Sequence, residues 1–207
     1  MARCVQMIHI GTLTEEIQGK ETTRNLVRIT FELPTITHVF DETRGAEPRL
    51  LSREFTLSMN SKSALRKFLD TWRGVPFTES ESRSFDVTKL IGVPCMLSVG
   101  LKTSKSSGNQ YNTIDSALAI PPGVNAPDQI TESCEINFEN IHEHWEKIPR
   151  FIVDKIKLVP EYANIDFEFP DFDEMDHDVD DTPTTMSTPK QTSPRQPIVP
   201  ETPKMPF

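Results

Sequence analysis

Apolar and polar residues alternate along much of the first 120 positions, the period of half-buried strands. In residues 26–33, Val27, Ile29, Phe31 and Leu33 fall on one face, with Arg28, Thr30 and Glu32 on the other. Residues 51–59 repeat the pattern, setting Phe55, Leu57 and Met59 against Glu54, Thr56 and Ser58. Residues 3–11 are β-branched and apolar, and residues 95–101 turn Cys95, Leu97, Val99 and Leu101 inward. A fifth strand over 111–120, with Ile114, Leu118 and Ile120 apolar, follows the turn chemistry of Gly108-Asn109. Between the third and fourth strands the period becomes helical. Leu65, Phe68, Leu69 and Trp72 have i, i+3, i+4, i+7 spacing, with Ser61 placed to cap the helix and Gly74 to stop it.

The order strand, strand, strand, helix, strand, strand predicts a mainly β domain over 1–120. It is the order of an OB-fold, a five-stranded Greek-key barrel that binds oligonucleotides or oligosaccharides. Other small β-barrels fit the order as well. Pro121-Pro122-Gly123 opens a linker. After it, Phe138, Ile141, Trp145 and Ile148 have helical spacing. Pro149 suits the first turn of a second short helix, with Phe151, Ile152 and Ile156 on its apolar side. Residues 121–163 are therefore expected to pack on the barrel, a dimer contact being the other use. From 164 to 207 the chain turns acidic and then Thr/Pro/Ser-rich. Such a composition cannot bury enough apolar surface to offset chain entropy, so a disordered tail is expected.

Charge sharpens this division. Of the net −9, residues 161–207 hold 3 Lys/Arg against 11 Asp/Glu, which leaves 19 against 20 in the first 160. The body is nearly neutral, so the low pI does not exclude an anionic ligand. Cys4, Cys95 and Cys134 are too few and scattered for a disulfide framework, which fits a reducing cytoplasm. No stretch has the length of a signal peptide core or a membrane span. Catalytic motifs are also missing: there is no Cys-x-x-Cys pair, no Gly-x-Ser-x-Gly and no Walker loop. His142-Glu143-His144 lacks a further ligand at metal spacing and reads as solvated surface. Neither an enzyme nor a metal or cofactor is expected. Thr182-Pro183, Thr188-Pro189, Ser193-Pro194 and Thr202-Pro203 read as Pro-rich spacing.

Single-stranded nucleic acid needs cations that track phosphates and aromatic faces for bases. The first loop of the expected barrel, residues 12–24, offers Lys20 and Arg24, and strand 2 presents Arg28 on its non-core face. Arg49 and Arg53 stand at the start of strand 3. The loop before the fifth strand holds Lys102, Lys105 and Tyr111 with no acid, the composition of a strand-clamping finger. Arg73 and Phe77 follow the helix and could meet nucleotides. Trp72 fits the helix's core face and is kept as a stacking candidate, while Phe55, on a strand's core face, is one only if its register differs.

These residues resemble a known group. Ala2-Arg-Cys-Val, the segments 27–34, 55–59, 65–74 and 85–95, and the stretch from Pro149 to Tyr162 are similar to small tailed-bacteriophage proteins. That family consists of single-stranded DNA-binding proteins with an OB-fold. The resemblance covers roughly residues 2–162. It implies a protein that coats single strands during phage replication or recombination, in the cytoplasm of the infected host. The tail resembles a second feature, the Pro-Phe tip of bacterial single-stranded DNA-binding proteins, which docks on replication and repair enzymes. Met205, Pro206 and Phe207 would be the partner-binding residues. Here the chain departs from the pattern, because its acidic run ends at Asp181, far from the tip. An acidic tail can instead compete with DNA for the groove. The alternative from another class is a phage adaptor that binds proteins and no DNA.

Overall fold

β-branched and aromatic residues crowd the first 56 positions and form three long strands, β1 (Ala2–Ile17), β2 (Lys20–Asp41) and β3 (Gly45–Thr56). The computed structural model describes residues 1–172 apart from 18, 105 and 106. Three more strands follow: β4 (Pro94–Thr103), β5 (Gln110–Leu118) and β6 (Cys134–Ile136). Their order is β3-β2-β1-β4-β5, antiparallel throughout, with β6 added to β1 in parallel. The chain is mainly β, as the alternation predicts, with α1 (Ala64–Arg73) between β3 and β4. At the ends of that order β3 and β5 meet, where Arg53 Nη1 donates to the carbonyls of Ile114 and Asp115 at 2.7 and 2.9 Å.

Two cores share the first two strands. Val27, Ile29, Phe31 and Leu33 pack with Phe55 against Leu65, Phe68 and Trp72 of α1. Across the sheet, Ile8, Ile10, Leu13 and Leu26 meet Ile136, Ile141, Ile152 and Ile156. The last three come from α3 (Ile141–His144) and α4 (Arg150–Ile156). Register shifts at Cys4/Gln6 and His9/Gly11 let β1 serve both sides, Cys4 and Met7 in the first core, Ile8 and Ile10 in the second. Burial in the first core pushes the Cys4 thiol far up and the Cys95 thiol to about 12.

Gly11, Glu161 and Glu32 each help hold the C-terminal segment to the sheet. Gly11 has φ 102°, and a Cβ there would lie 2.7 Å from Val159 and 2.9 Å from Phe138, so only glycine admits this approach. The Glu161 carboxylate accepts the Thr12 N–H at 3.0 and 3.1 Å. Burial raises its pKa, but the Thr12 bonds, its own backbone N–H and nearby His9 together outweigh burial and hold it below the usual range. Glu32, fully buried, accepts the N–H groups of Ile130 and Thr131 at 2.9 and 2.7 Å.

Several expectations are corrected. Residues 12–24 are not a loop but a paired ribbon, Thr12↔Asn25 to Ile17↔Lys20, because threonines on both sides favour strand; Thr14 and Thr23 bond across it at 2.9 Å. β2 and β3 pair beyond Leu33 as a second ribbon reaching Asp41 and Gly45. Ser63, not Ser61, caps α1 by accepting Arg66 N–H at 3.1 Å, since Asn60 already turns residues 60–62 through its bond from Lys62 N–H. Gly74 ends α1 in the left-handed conformation, as expected. Val99 and Leu101 share the side of Leu97 but are 42% and 56% exposed, because the β4–β5 ribbon runs past the core. A bulge opposite Ser98/Val99 leaves Asp115 extra, which reverses the parity: Ala117 is buried and Leu118 exposed. Residues 138–148 are not one helix. The Asn137–Asn140 turn delays α3, and a 3-10 turn over Trp145–Lys147 follows. Phe151 faces outward rather than into the core.

Among the described residues no helix is long and apolar enough to cross a membrane. Lys105, Met205, Pro206, Phe207 and the acidic run beyond Phe172 lie outside the described residues.

Candidate nucleic-acid interface

The face of β2 and β3 turned away from α1 carries Arg28, Thr30 and Ser52 in register, Arg28 opposite Glu54 and Thr30 opposite Ser52. Thr30 and Ser52 hydroxyls bond to each other at 3.0 Å, and Thr30 donates to Gln6 Oε1 at 3.2 Å. The segment from Thr131 to Arg150 arches over this face without filling it. Between them lies a groove of about 880 Å³. Arg28, Lys147 and Arg150 line it with Trp145, Phe172 and the acids Glu132 and Glu146. Trp145 and Phe172 meet edge to face, their ring centroids 6.1 Å apart. The Arg150 guanidinium sits 5.9 Å from the Phe172 ring. Gln6 Nε2 donates to the Lys147 carbonyl at 3.1 Å, tying the arch to β1. Lys147 Nζ lies 3.1 Å from Glu132, and that hydrogen bond raises the ammonium's pKa, so Lys147 is charged throughout the neutral range. Glu54 sits beside the groove, 3.7 Å from Arg28 and 2.7 Å from Lys155. The Arg28 guanidinium also lies 4.8 Å over the Phe151 ring.

Such a groove has the parts a single strand needs: guanidinium and ammonium groups, hydroxyl and amide donors, and aromatic rings within one cleft. Of the expected residues that the structure describes, Arg28 is the one that lines it. Arg24 is ion-paired with Glu15 on the β1–β2 ribbon, and Lys20 is exposed at that ribbon's tip. Lys102 and Tyr111 are a cross-strand pair on the β4–β5 ribbon, Lys102 exposed and Tyr111 half-buried. Arg49 is half-buried opposite Leu33.

Four expected contacts are corrected. Arg53 points to the core side, stacked 4.7 Å over Phe55 with Nη1 donating to two β5 carbonyls, so it is a strut. Phe55 and Trp72 are 3% and 4% exposed, and Trp72 Nε1 donates to the Pro94 carbonyl at 3.1 Å. Phe77 is 8% exposed, packed against Phe85 at 4.7 Å. None of these three rings lines the groove.

Arg73 pairs with Glu81 at 2.6 Å, a bond that brings the Glu81 carboxyl down to about 2 with help from Thr78. Trp72, Arg73 and Phe77 instead line a second, apolar cavity of about 690 Å³ beside α1 and α2 (Glu79–Ser84).

Sequence reasoning missed Trp145, Lys147, Arg150 and Phe172. The signal was present in the alternation of rings and cations along 145–151, but helical spacing assigned Trp145 to packing. Among the described residues no group of three or more His, Cys, Asp or Glu could hold a metal ion. No protein-family model, no curated protein and no solved structure matches the chain.

Proposed function

We propose that the chain is a single-stranded DNA-binding protein of the bacteriophage type, which coats DNA during replication or recombination. The observation that carries this reading is the groove, where Arg28, Lys147 and Arg150 converge with Trp145 and Phe172 over the hydroxyl-lined face of β2 and β3. The strand order, the helix between β3 and β4 and the Arg53 link from β3 to β5 support reading the sheet as an OB-type barrel, whose strands 2 and 3 face the ligand. Phosphates would lie along the cations, giving a salt-dependent affinity without sequence preference. Bases would stack on Trp145, a contact worth about 1–3 kcal/mol per base. Lys102 and Tyr111 on the β4–β5 ribbon would close over the strand, with Lys20 as a second outlying cation. The acidic tail that follows Phe172 at the groove would compete with DNA or recruit replication proteins.

The test is titration of a fluorescent oligonucleotide with wild type, W145A and K147E/R150E. W145A should weaken binding about tenfold, and the double variant should also flatten the dependence of affinity on salt. Wild-type affinity in both variants would remove the groove from the reading.

A protein-binding adaptor is the second reading, favoured by the apolar cavity beside α1 and α2 and by the exposed apolar residues of the β2–β3 ribbon. Gel shifts with single-stranded and duplex DNA separate the two. An adaptor shifts neither.

A further inference from the structure

Beyond Leu33 the β2–β3 ribbon belongs to neither core. The register shift between Leu33 and Thr37 bends it, so it forms an arm. Ile36, Val39 and Phe40 on that arm are 49%, 48% and 54% exposed. His38 lies edge-on to the Phe40 ring at 4.8 Å and steadies it. Asp41, Glu42 and Glu47 surround this knob, and one cation, Arg44, bridges Asp41 and Glu47 at 3.4 and 3.5 Å. Three carboxylates against one guanidinium make a tip that repels phosphate. It suits an apolar recess with a cationic margin.

The chain holds such a recess. The apolar cavity of about 690 Å³ has Trp72, Phe77, Phe85 and Ala119 among its walls. Its charged lining is Arg73 and Lys89 against Glu81. It is wide enough for an inserted ring with an aliphatic neighbour.

We propose that the Phe40 arm of one copy inserts into this cavity on a second copy, with the acidic tip against Arg73 and Lys89. Arm and cavity are different surfaces, so the contact is head to tail. Each copy then retains one unused arm or cavity, and assembly continues instead of closing at a dimer.

The experiment is sedimentation velocity on the full chain without nucleic acid, over a wide concentration range. Wild type should grow in mass with concentration, while F40E and A119E each stay monomeric. An equimolar mixture of the two should form dimers and nothing larger, because the A119E copy supplies an intact arm and the F40E copy an intact cavity. Ala119 is exposed, so the added carboxylate leaves the core alone. If circular dichroism shows either variant unfolded, E42K and K89E replace them: each alone associates more weakly than wild type, and their mixture recovers. A wild type that is monomeric at every concentration overturns the proposal, as do variants that assemble like wild type or mixtures that gain nothing. DNA is absent from the measurement, so its failure leaves the groove reading untouched.

Discussion

Replacing Glu32 with glutamine tests how the wall of the groove is held. The Glu32 carboxylate is fully buried and takes two backbone N–H groups, from Ile130 at 2.9 Å and Thr131 at 2.7 Å. Hydrogen bonds to a charged acceptor contribute about 1.5–3 kcal/mol each. The amide of E32Q keeps one acceptor, turns an N–H toward the other donor and loses the charge. It also relieves the desolvation of a buried carboxylate, which offsets part of the loss. The net cost should be about 2–3 kcal/mol. With a urea slope of about 2 kcal/mol/M, the unfolding midpoint should fall by about 1 M. Hydrogen exchange gives the local readout: the amides of Ile130 and Thr131 should lose protection while those of β2 keep theirs at low urea. Thr131, Glu132 and Cys134 line the groove, so oligonucleotide affinity should fall as this segment loosens. A midpoint within about 0.2 M of wild type, with both amides still protected, would refute the clamp.

Gly11→Ala should destabilise by at least about 2 kcal/mol, through a strained φ and a Cβ that meets Val159 and Phe138, and thermal unfolding measures it. Glu161, whose carboxyl is held low in the fold, contributes stability above its ordinary value of 4.5 and loses it as pH falls through the lowered value. E161Q should therefore be less stable than wild type near neutrality, and the gap should narrow through the acid range in pH-dependent urea titrations.

Where one face of a strand met one core, the sequence was readable. Val27, Ile29, Phe31 and Leu33 on β2, and the helical stripe from Leu65 to Trp72, lie where their periods put them. Legibility failed where backbone irregularity intervened. The bulge at Asp115 exchanged Leu118 for Ala117, and two shifts in β1 split its apolar residues between cores that a single period cannot describe. Leu26 carried a hint, since it is apolar on the face shared with Arg28 and Thr30. The groove was hidden for another reason. Arg28 on its floor belongs to β2, but Trp145, Lys147, Arg150 and Phe172 come more than 100 residues later, and register alone cannot place one above the other. Arg53 shows the converse error. Its charge suggested phosphate, whereas its parity with Phe55 had already turned it toward the core.

The two-sided burial of β1 also fixes a timetable. Its first face can be covered once β2, β3 and α1 have been made. Its second face waits for Ile136, Ile152 and Ile156, and β6 closes on Gln6–Ile8 from more than 120 residues later. During synthesis Ile8, Ile10 and Leu13 are therefore bare until the last part of the body leaves the ribosome. Contacts so distant in sequence form slowly, and a strand with one naked apolar face is prone to stray pairing meanwhile. That face is covered only once residues 134–159 are in place.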